Sequence, residues 1–487
     1  MKTEEFREHA HSVSNWMADY LATIESRPVR ARTHPGEILA ALPRAAPEEG
    51  EAMTEILADF DRVIMPGITH WQHPRFFAYF PANSSPPSVL AEMLTAAVAA
   101  QGMLWETSPA INELETRMME WLRDLLGLPA TFRGCIQDSG SSSNLAALMA
   151  ARERATAGRA CREGLAGHAP LAVYTSAEAH SSIEKAAKLA GIGGAMVRKI
   201  ATDSDQAMRP DLLRAAIASD RAAGIVPCAI VSCIGATGLG SVDPLAAIGQ
   251  IAARESIYLH VDAAWAGAAM LLPEQRHHLI GIDHVDSFAF NPHKWLFTNF
   301  DCSVLWLRDP EALAHALSVN PAYLLSPEGA AMPEYRDWGV PLARRFRSLK
   351  LWFVMRSYGA DRLRQMIQQH IDWTNRLAEM IRATPDFEIV AGPRFALLAF
   401  RFRPGGLDDA QVDVATEHLL QQINADGRTY LTRTLLDGRP VIRFSIGQTN
   451  TEWHHVQEGW EAVCDLARRQ RNDSGAALAE QGQGDPS

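Results

Sequence analysis

Of the 487 residues, 47% are apolar and 21% charged, an ordinary balance for a chain whose length suits one large domain with smaller ones. A net charge of −11 with no basic run argues against a nucleic-acid surface, and no apolar run reaches membrane-spanning length. The six cysteines form no CxxC pair, and the charged opening Met1-Lys-Thr-Glu-Glu-Phe6 has no apolar signal core, so a reducing, cytoplasmic setting is expected.

Residues 4–25 place Phe6, Val13, Trp16, Met17, Tyr20, Leu21 and Ile24 at helical spacing. Residues 53–64 repeat the pattern, and a proline-rich connector, Pro28 to Pro47, lies between. Two such helices cannot bury much against each other, so residues 1–85 read as an N-terminal arm that packs on the main body or on a second subunit. The segment Thr69-His70-Trp71 to Tyr79-Phe80-Pro81-Ala82-Asn83 is dense in aromatics. It reads either as a hydrophobic anchor for the arm or as an aromatic wall for a flat ligand.

The run Ile136-Gln-Asp138-Ser139-Gly140-Ser141-Ser142-Ser143-Asn144 opens an alanine-rich helix. Free N–H groups and hydroxyls at such a start make an anion site, although a serine-rich run there is also a plain helix cap. From 171 onward strands and helices alternate: strands at 171–175, 196–200, 225–233 and 257–261, with helices between. This predicts a doubly wound, mostly parallel α/β sheet over 86–350, with ligands at the carboxyl ends of its strands. His180, Thr237, Asp262 and Lys294 each follow a strand in this reading. Residues 351–472 close the chain as a small α+β domain with strands at 387–391, 396–402, 430–434 and 441–446. The Gly/Ala/Gln-rich tail 473–487 is expected to be disordered, and the Pro/Gly-rich loop 320–335 to be mobile.

Lys294 sits in Asn291-Pro-His-Lys294-Trp295, between two apolar strand-like runs. Alone, such a lysine is an ordinary turn residue. A lysine drawn out of water loses proton affinity and becomes a nucleophilic amine, able to form a Schiff base with an aldehyde. Pyridoxal 5′-phosphate (PLP) is the aldehyde cofactor held this way. Asp262 can hold the proton on its ring nitrogen, Ser139, Gly140 and Ser141 with Asn291 can cradle its phosphate, and His180 can stack on its ring. Ala264, after Asp262, leaves room on the opposite face.

The chain resembles the group II PLP-dependent amino-acid decarboxylases, specifically the aromatic-L-amino-acid decarboxylase family. The likeness is carried by Phe76-Phe-Ala-Tyr-Phe80-Pro81, Ala179-His180-Ser181-Ser182, His260-Val-Asp262-Ala-Ala264, Asn291-Pro-His-Lys294-Trp295 and Arg344-Arg-Phe-Arg-Ser-Leu-Lys350, and it spans about 4–465. It implies a PLP fold type I homodimer with shared active sites, and decarboxylation of an aromatic L-amino acid to its amine. It further implies Lys294 as the Schiff-base lysine, Asp262 on the pyridine nitrogen, His180 on the ring, and Gly140, Ser141, Thr237 and Asn291 as cofactor contacts. Tyr323 is implied as the group that protonates the substrate carbon once CO₂ has left. The expected substrate pocket is Trp71, Phe80, Ala82, Gln101, Met103, Leu342 and Ala343. It departs from the animal members at Ala82, Gln101 and Met103, and Trp265 replaces a tyrosine. An aldehyde synthase or a decarboxylase of a non-aromatic acid is the alternative, the latter because Gln101 adds a polar group. No metal site is expected.

Overall fold

The computed structural model describes residues 1–319 and 332–481; Tyr323, with most of the expected mobile loop, lies outside them. The described chain divides into two compact units that interleave along the sequence. One comprises Met1–Pro81, Glu379–Glu388 and the chain from Phe400 onward; the other comprises Ala82–Ala378 and Ile389–Ala399. The boundaries expected at 85, 350 and 472 therefore do not coincide with the compact units. The arm segment groups with the C-terminal segment, because residues 76–80 are stitched to the last strand region by backbone hydrogen bonds such as Phe77 N–H to Tyr430 O (3.1 Å) and Ser445 N–H to Phe77 O (3.0 Å).

The larger unit is built on a seven-stranded sheet. Its strands are β1 (Arg133–Gln137), β2 (Leu171–Ser176), β3 (Val197–Ile200), β4 (Val226–Cys233), β5 (Tyr258–Asp262), β6 (Ser287–Phe290) and β7 (Ser303–Leu307), in the order β1-β7-β6-β5-β4-β2-β3. The run β3-β2-β4-β5-β6 is parallel; β7 is antiparallel to both of its neighbours. Helices on both faces bury the central strands, which is why β2, β4 and β5 read as continuous apolar runs rather than alternating ones. The helix Gly140–Ala155 shows how: Ala146, Ala147, Ala150 and Ala151 are all buried in one core cluster with Val173, Ala229, Val231 and Leu305. Small side chains let the helix lie close to the sheet and hold its first turn near the strand ends.

A second sheet is ordered β10-β11-β9-β8: β10 (Thr432–Leu436) and β11 (Arg439–Ser445), an antiparallel hairpin, belong to the other unit, whereas β8 (Phe387–Arg394) and β9 (Leu397–Phe402) each have residues in both units. The N-terminal helix Thr3–Thr23 touches Phe60 through Trp16 (ring centroids 5.1 Å), yet none of its residues is buried. The C-terminal helix Trp453–Gln481 extends past Asp473, where the sequence predicted a disordered tail. The run Ala476-Ala-Leu-Ala479 has the highest helix propensity available, and this outweighs the polar composition that prompted the expectation. Among the described residues, no helix is long and apolar enough to cross a membrane.

Candidate active site

Five segments of the larger unit deliver polar groups to the carboxyl edge of its sheet. After β1, the helix Gly140–Ala155 begins. Ser139 is its N-cap, with Oγ accepting the Ser142 N–H at 3.2 Å. The hydroxyl expected to face an anion thus has a capping role as well. The N–H groups of Gly140 and Ser141, first in the helix, have no intrahelical acceptor. A Cβ at Gly140 would lie 2.9 Å from Asn291 Nδ2, so glycine is what lets that amide approach the helix start.

After β6 the chain turns through Asn291 into a single helical turn, Pro292–Trp295, where sequence alone suggested a strand running straight into the lysine. Proline at the first helical position lacks only an N–H that would be unpaired anyway. Asn291 is fixed by a hydroxyl chain: Ser303 Oγ–H donates to Asn291 Oδ1 (2.6 Å) and accepts from Ser143 Oγ–H (2.8 Å). The Asn291 amide nitrogen is thereby left facing Gly140. Lys294 lies in this turn, half-buried. Its peptide is pinned by Asn83, whose N–H donates to His293 O (2.8 Å) and whose Nδ2 donates to Lys294 O (2.8 Å). His293 is itself fixed, Nδ1 accepting the Cys302 N–H at 2.9 Å. Burial, then the ammonium of Lys294, hold its pKa down to about 3, so it stays neutral.

Asp262 ends β5 and is 9% exposed. Its Oδ1 accepts the Ala264 N–H (3.0 Å) and its Oδ2 accepts from Asn144 Nδ2 (3.0 Å). His180, after β2, presents an exposed ring with its Nδ1 edge bonded inward to Ser182. Its pKa is lowered, first by packing around the ring and then by the Lys294 ammonium, with Asp262 opposing. Lys294 and Asp262 are thus both near enough to act on His180. Thr237, half-buried, follows β4 in a tight turn closed by Gly235 and Ala236 N–H bonds to Ser241 O (3.0 and 2.9 Å). Gly235 has φ +80°, and a Cβ there would meet Ala266 Cβ at 2.4 Å, so only glycine fits.

The expected substrate-pocket residues divide between the two units. Ala82, Gln101, Met103, Leu342 and Ala343 belong to the larger one. One lone pair of the Gln101 carbonyl oxygen is engaged: Oε1 accepts the Arg344 N–H at 2.6 Å. Gln101 and Ala343 line a cavity of about 330 Å³ with Thr95, Ala99 and Phe346. Leu342 is 46% exposed, and Ala82 and Met103 are half-buried. Trp71 and Phe80 belong to the other unit, where Trp71 stacks on Tyr79 (5.6 Å) and the Arg443 guanidinium lies over Phe80 (5.1 Å). Phe76 and Phe77 are core, in keeping with the anchoring reading of that segment. Trp265 is also core, stacked on Trp295 at 5.0 Å.

Sequence reasoning passed over Asn83, Asn144 and His260 as site residues. Asn83 and Asn144 stood within the runs already singled out. His260 lies two residues from Asp262 on one strand, and so on the same face.

The donor set of the larger unit fits PLP: an amine for the aldehyde, a buried carboxylate for the ring nitrogen, an exposed imidazole for the ring face, and helix N–H groups with an asparagine amide for the phosphate. The comparisons agree. Residues 35–403 match the family described as the pyridoxal-dependent decarboxylase conserved domain. The chain is 40% identical to the phenylacetaldehyde synthase of Arabidopsis thaliana over 96% of each chain. It is also 40% identical to the aromatic-L-amino-acid decarboxylase of Rattus norvegicus, over 96% of this chain and 98% of that one. The crystal structure of Oryza sativa TDC with PLP and tryptamine superposes with a TM-score of 0.93 at 34% identity, covering 96% of this chain and 99% of that one. With PLP as its cofactor and a type I fold, this chain belongs to the pyridoxal-dependent decarboxylase family.

Proposed function

We propose that the enzyme decarboxylates an aromatic L-amino acid to the corresponding amine and CO₂. The observation that carries this reading is the convergence of Lys294, Asp262, His180 and a glycine-opened helix start on one sheet edge of a chain so similar to aromatic decarboxylases. In it Lys294 supplies the amine that would hold the cofactor's aldehyde. Asp262 holds a proton at the pyridine nitrogen through a charge-assisted hydrogen bond. His180 covers one ring face and Ala264 leaves room on the other, while Gly140, Ser141, Ser139, Asn291 and Thr237 contact the phosphate side. When bound, the protonated pyridine ring supplies an electron sink for the pair left as a carboxylate departs from the α-carbon. Tyr323 returns a proton to that carbon.

The assembly proposed is a homodimer with shared sites, in the cytoplasm. Leu90, Leu94 and Val98 of the helix Pro86–Val98 are 56%, 48% and 63% exposed, an apolar stripe suited to a second copy of the chain. A second reading, aromatic aldehyde synthase, is favoured by the Arabidopsis relative. Tyr323 weighs against it, since the resemblance links tyrosine at that position to plain decarboxylation. The case for a non-aromatic substrate rests on Gln101, whose oxygen spends one of its two lone pairs on the Arg344 N–H.

Mass spectrometry of products from purified enzyme, PLP and a panel of L-amino acids tests the reading. Dopa, 5-hydroxytryptophan, tryptophan, tyrosine and phenylalanine form the panel, with glutamate and 2,4-diaminobutyrate as controls. Amine from an aromatic member is the expected result. Aldehyde from the aromatic members, or amine from the controls alone, refutes it.

A further inference from the structure

Behind the Asp262 carboxylate runs a buried chain of side chains: Ser287, His260, Asn144 and Ser182, all under 5% exposed, ending at the open ring of His180. Its proton positions follow from chemistry alone. A carboxylate only accepts, so the Asn144 atom 3.0 Å from Asp262 Oδ2 is the amide nitrogen. The second hydrogen of that nitrogen reaches Ser182 Oγ at 2.9 Å. Asn144 Oδ1 must then accept, and its partner at 2.8 Å is His260 Nε2, which carries the proton. His260 Nδ1 accepts in turn from Ser287 Oγ–H at 2.8 Å. At the other end, the Ser182 backbone N–H donates to His180 Nδ1 at 3.1 Å. A backbone N–H can only donate, so His180 Nδ1 is unprotonated. Ser182 Oγ–H, 2.8 Å away, donates there too. The neutral ring of His180 therefore carries its proton on Nε2, the nitrogen opposite the bonded edge.

We propose that Asn144 is a positioning residue that couples the two groups facing the cofactor ring. One amide nitrogen aims the Asp262 carboxylate and, by donating to Ser182 Oγ, turns the Ser182 hydroxyl hydrogen toward His180 Nδ1, which the Ser182 backbone N–H already holds unprotonated. This rests on the reading of Asp262 and His180 as cofactor contacts. Both N–H donors and one oxygen lone pair of the Asn144 amide are used, so the position calls for a side chain that donates twice and accepts once. The charged and titratable groups around this chain are Asp262 and His260 on β5, Cys233 on β4, Glu178 and His180 after β2, and Lys294 after β6.

The test is PLP binding to the apo-enzyme, followed by the visible absorbance of the bound cofactor between pH 6 and 9. Asn144→Ala removes the donor to Asp262, and its dissociation constant should rise about tenfold at every pH, the size of one hydrogen bond to a charged group. Asn144→Asp keeps the volume but sets an acceptor against the Asp262 carboxylate. Its defect should exceed that of Asn144→Ala at pH 8 and shrink toward pH 6, as one of the two adjacent carboxyls takes up a proton. Ser182→Ala leaves the bond to Asp262 and should stay within about twofold of wild type. A packing role alone would give Asn144→Asp a deficit independent of pH, and that result overturns the proposal, as does wild-type binding by Asn144→Ala. Asp262→Asn separates the two levels: if it binds PLP like wild type, the reading of Asp262 fails whatever position 144 does. If Asp262→Asn binds weakly while both Asn144 variants bind normally, the coupling alone fails.

Discussion

Arg344 and Glu115 form an ion pair 6% and 1% exposed, and its removal makes a sharp local prediction. Arg344 Nη2 donates to Glu115 Oε1 and to Ile136 O (3.1 Å), and Nη1 donates to Tyr335 O (3.2 Å). The same Glu115 oxygen accepts the Ile136 N–H at 2.8 Å. The pair thus ties the segment that carries Ala343 to β1, just before the anion-site helix. Arg344→Met keeps length and apolar volume while leaving a buried carboxylate without its partner. Breaking a buried pair this way costs about 3–5 kcal/mol, which is roughly two to three and a half decades in a local opening constant. Hydrogen exchange followed by mass spectrometry on a β1 peptide reads that constant directly, through the Ile136 amide that Glu115 holds. Exchange there should accelerate by about two to three and a half decades, while β10 and β11 in the other unit exchange as before. The double variant Arg344→Met with Glu115→Leu removes both charges and should recover most of the protection, since matched apolar replacements of buried pairs are often neutral. Unchanged β1 exchange in the single variant, or a double variant that exchanges faster than the single, refutes the reasoning.

Lys294→Ala should lose the visible absorbance of the lysine-bound cofactor; a retained band with a borohydride-stable adduct on another residue would refute the assignment. Tyr323→Phe should divert product from amine to aldehyde, with O₂ and water consumed and ammonia and hydrogen peroxide released alongside CO₂, and a variant making only amine would remove the proton-return role. Burial lowers the pKa of His73 and His293 to about 3, with Arg75 and Lys294 respectively adding to the effect, and that of His370 to about 3. These groups stay neutral in the fold but take up protons in the unfolded chain below the usual histidine value near 6.5. Their contribution to stability is complete above that pH and declines as pH falls from about 6.5 toward about 3, so the melting temperature should drop between pH 7 and 5. A melting temperature flat over that interval would show that these rings are not held neutral.

Much of the larger unit was legible in the sequence because its strands are fully buried and end in polar residues: an apolar run followed by His180, Thr237, Asp262 or Lys294 marks both the strand and its active end. Asn144 was hidden by its company. In a serine-rich helix start it reads as one more capping residue, and only the packing of that helix against the sheet brings its amide to His260 and Asp262 on β5, 116 and 118 positions away in the chain. Gln101 misled for the opposite reason. Composition says that a polar group is present, but the partner that takes up one of its lone pairs, the Arg344 N–H, is 243 positions away in the chain. The interleaved units were illegible for the same reason: the arm is held by backbone bonds to Gly427, Tyr430 and Ser445, and no local pattern encodes them.

The uncovered N-terminal helix has a further consequence. A helix of 21 residues with no buried side chain draws little stability from its own fold and would fray in water alone. Where a second copy covers it, its order is tied by mass action to the amount of protein present. Diluted below its dissociation constant, such a chain would lose helical signal from the arm while the sheet remains, and a protease would cut more readily within the first two dozen residues. The working concentration of the enzyme then becomes part of what keeps its first helix folded.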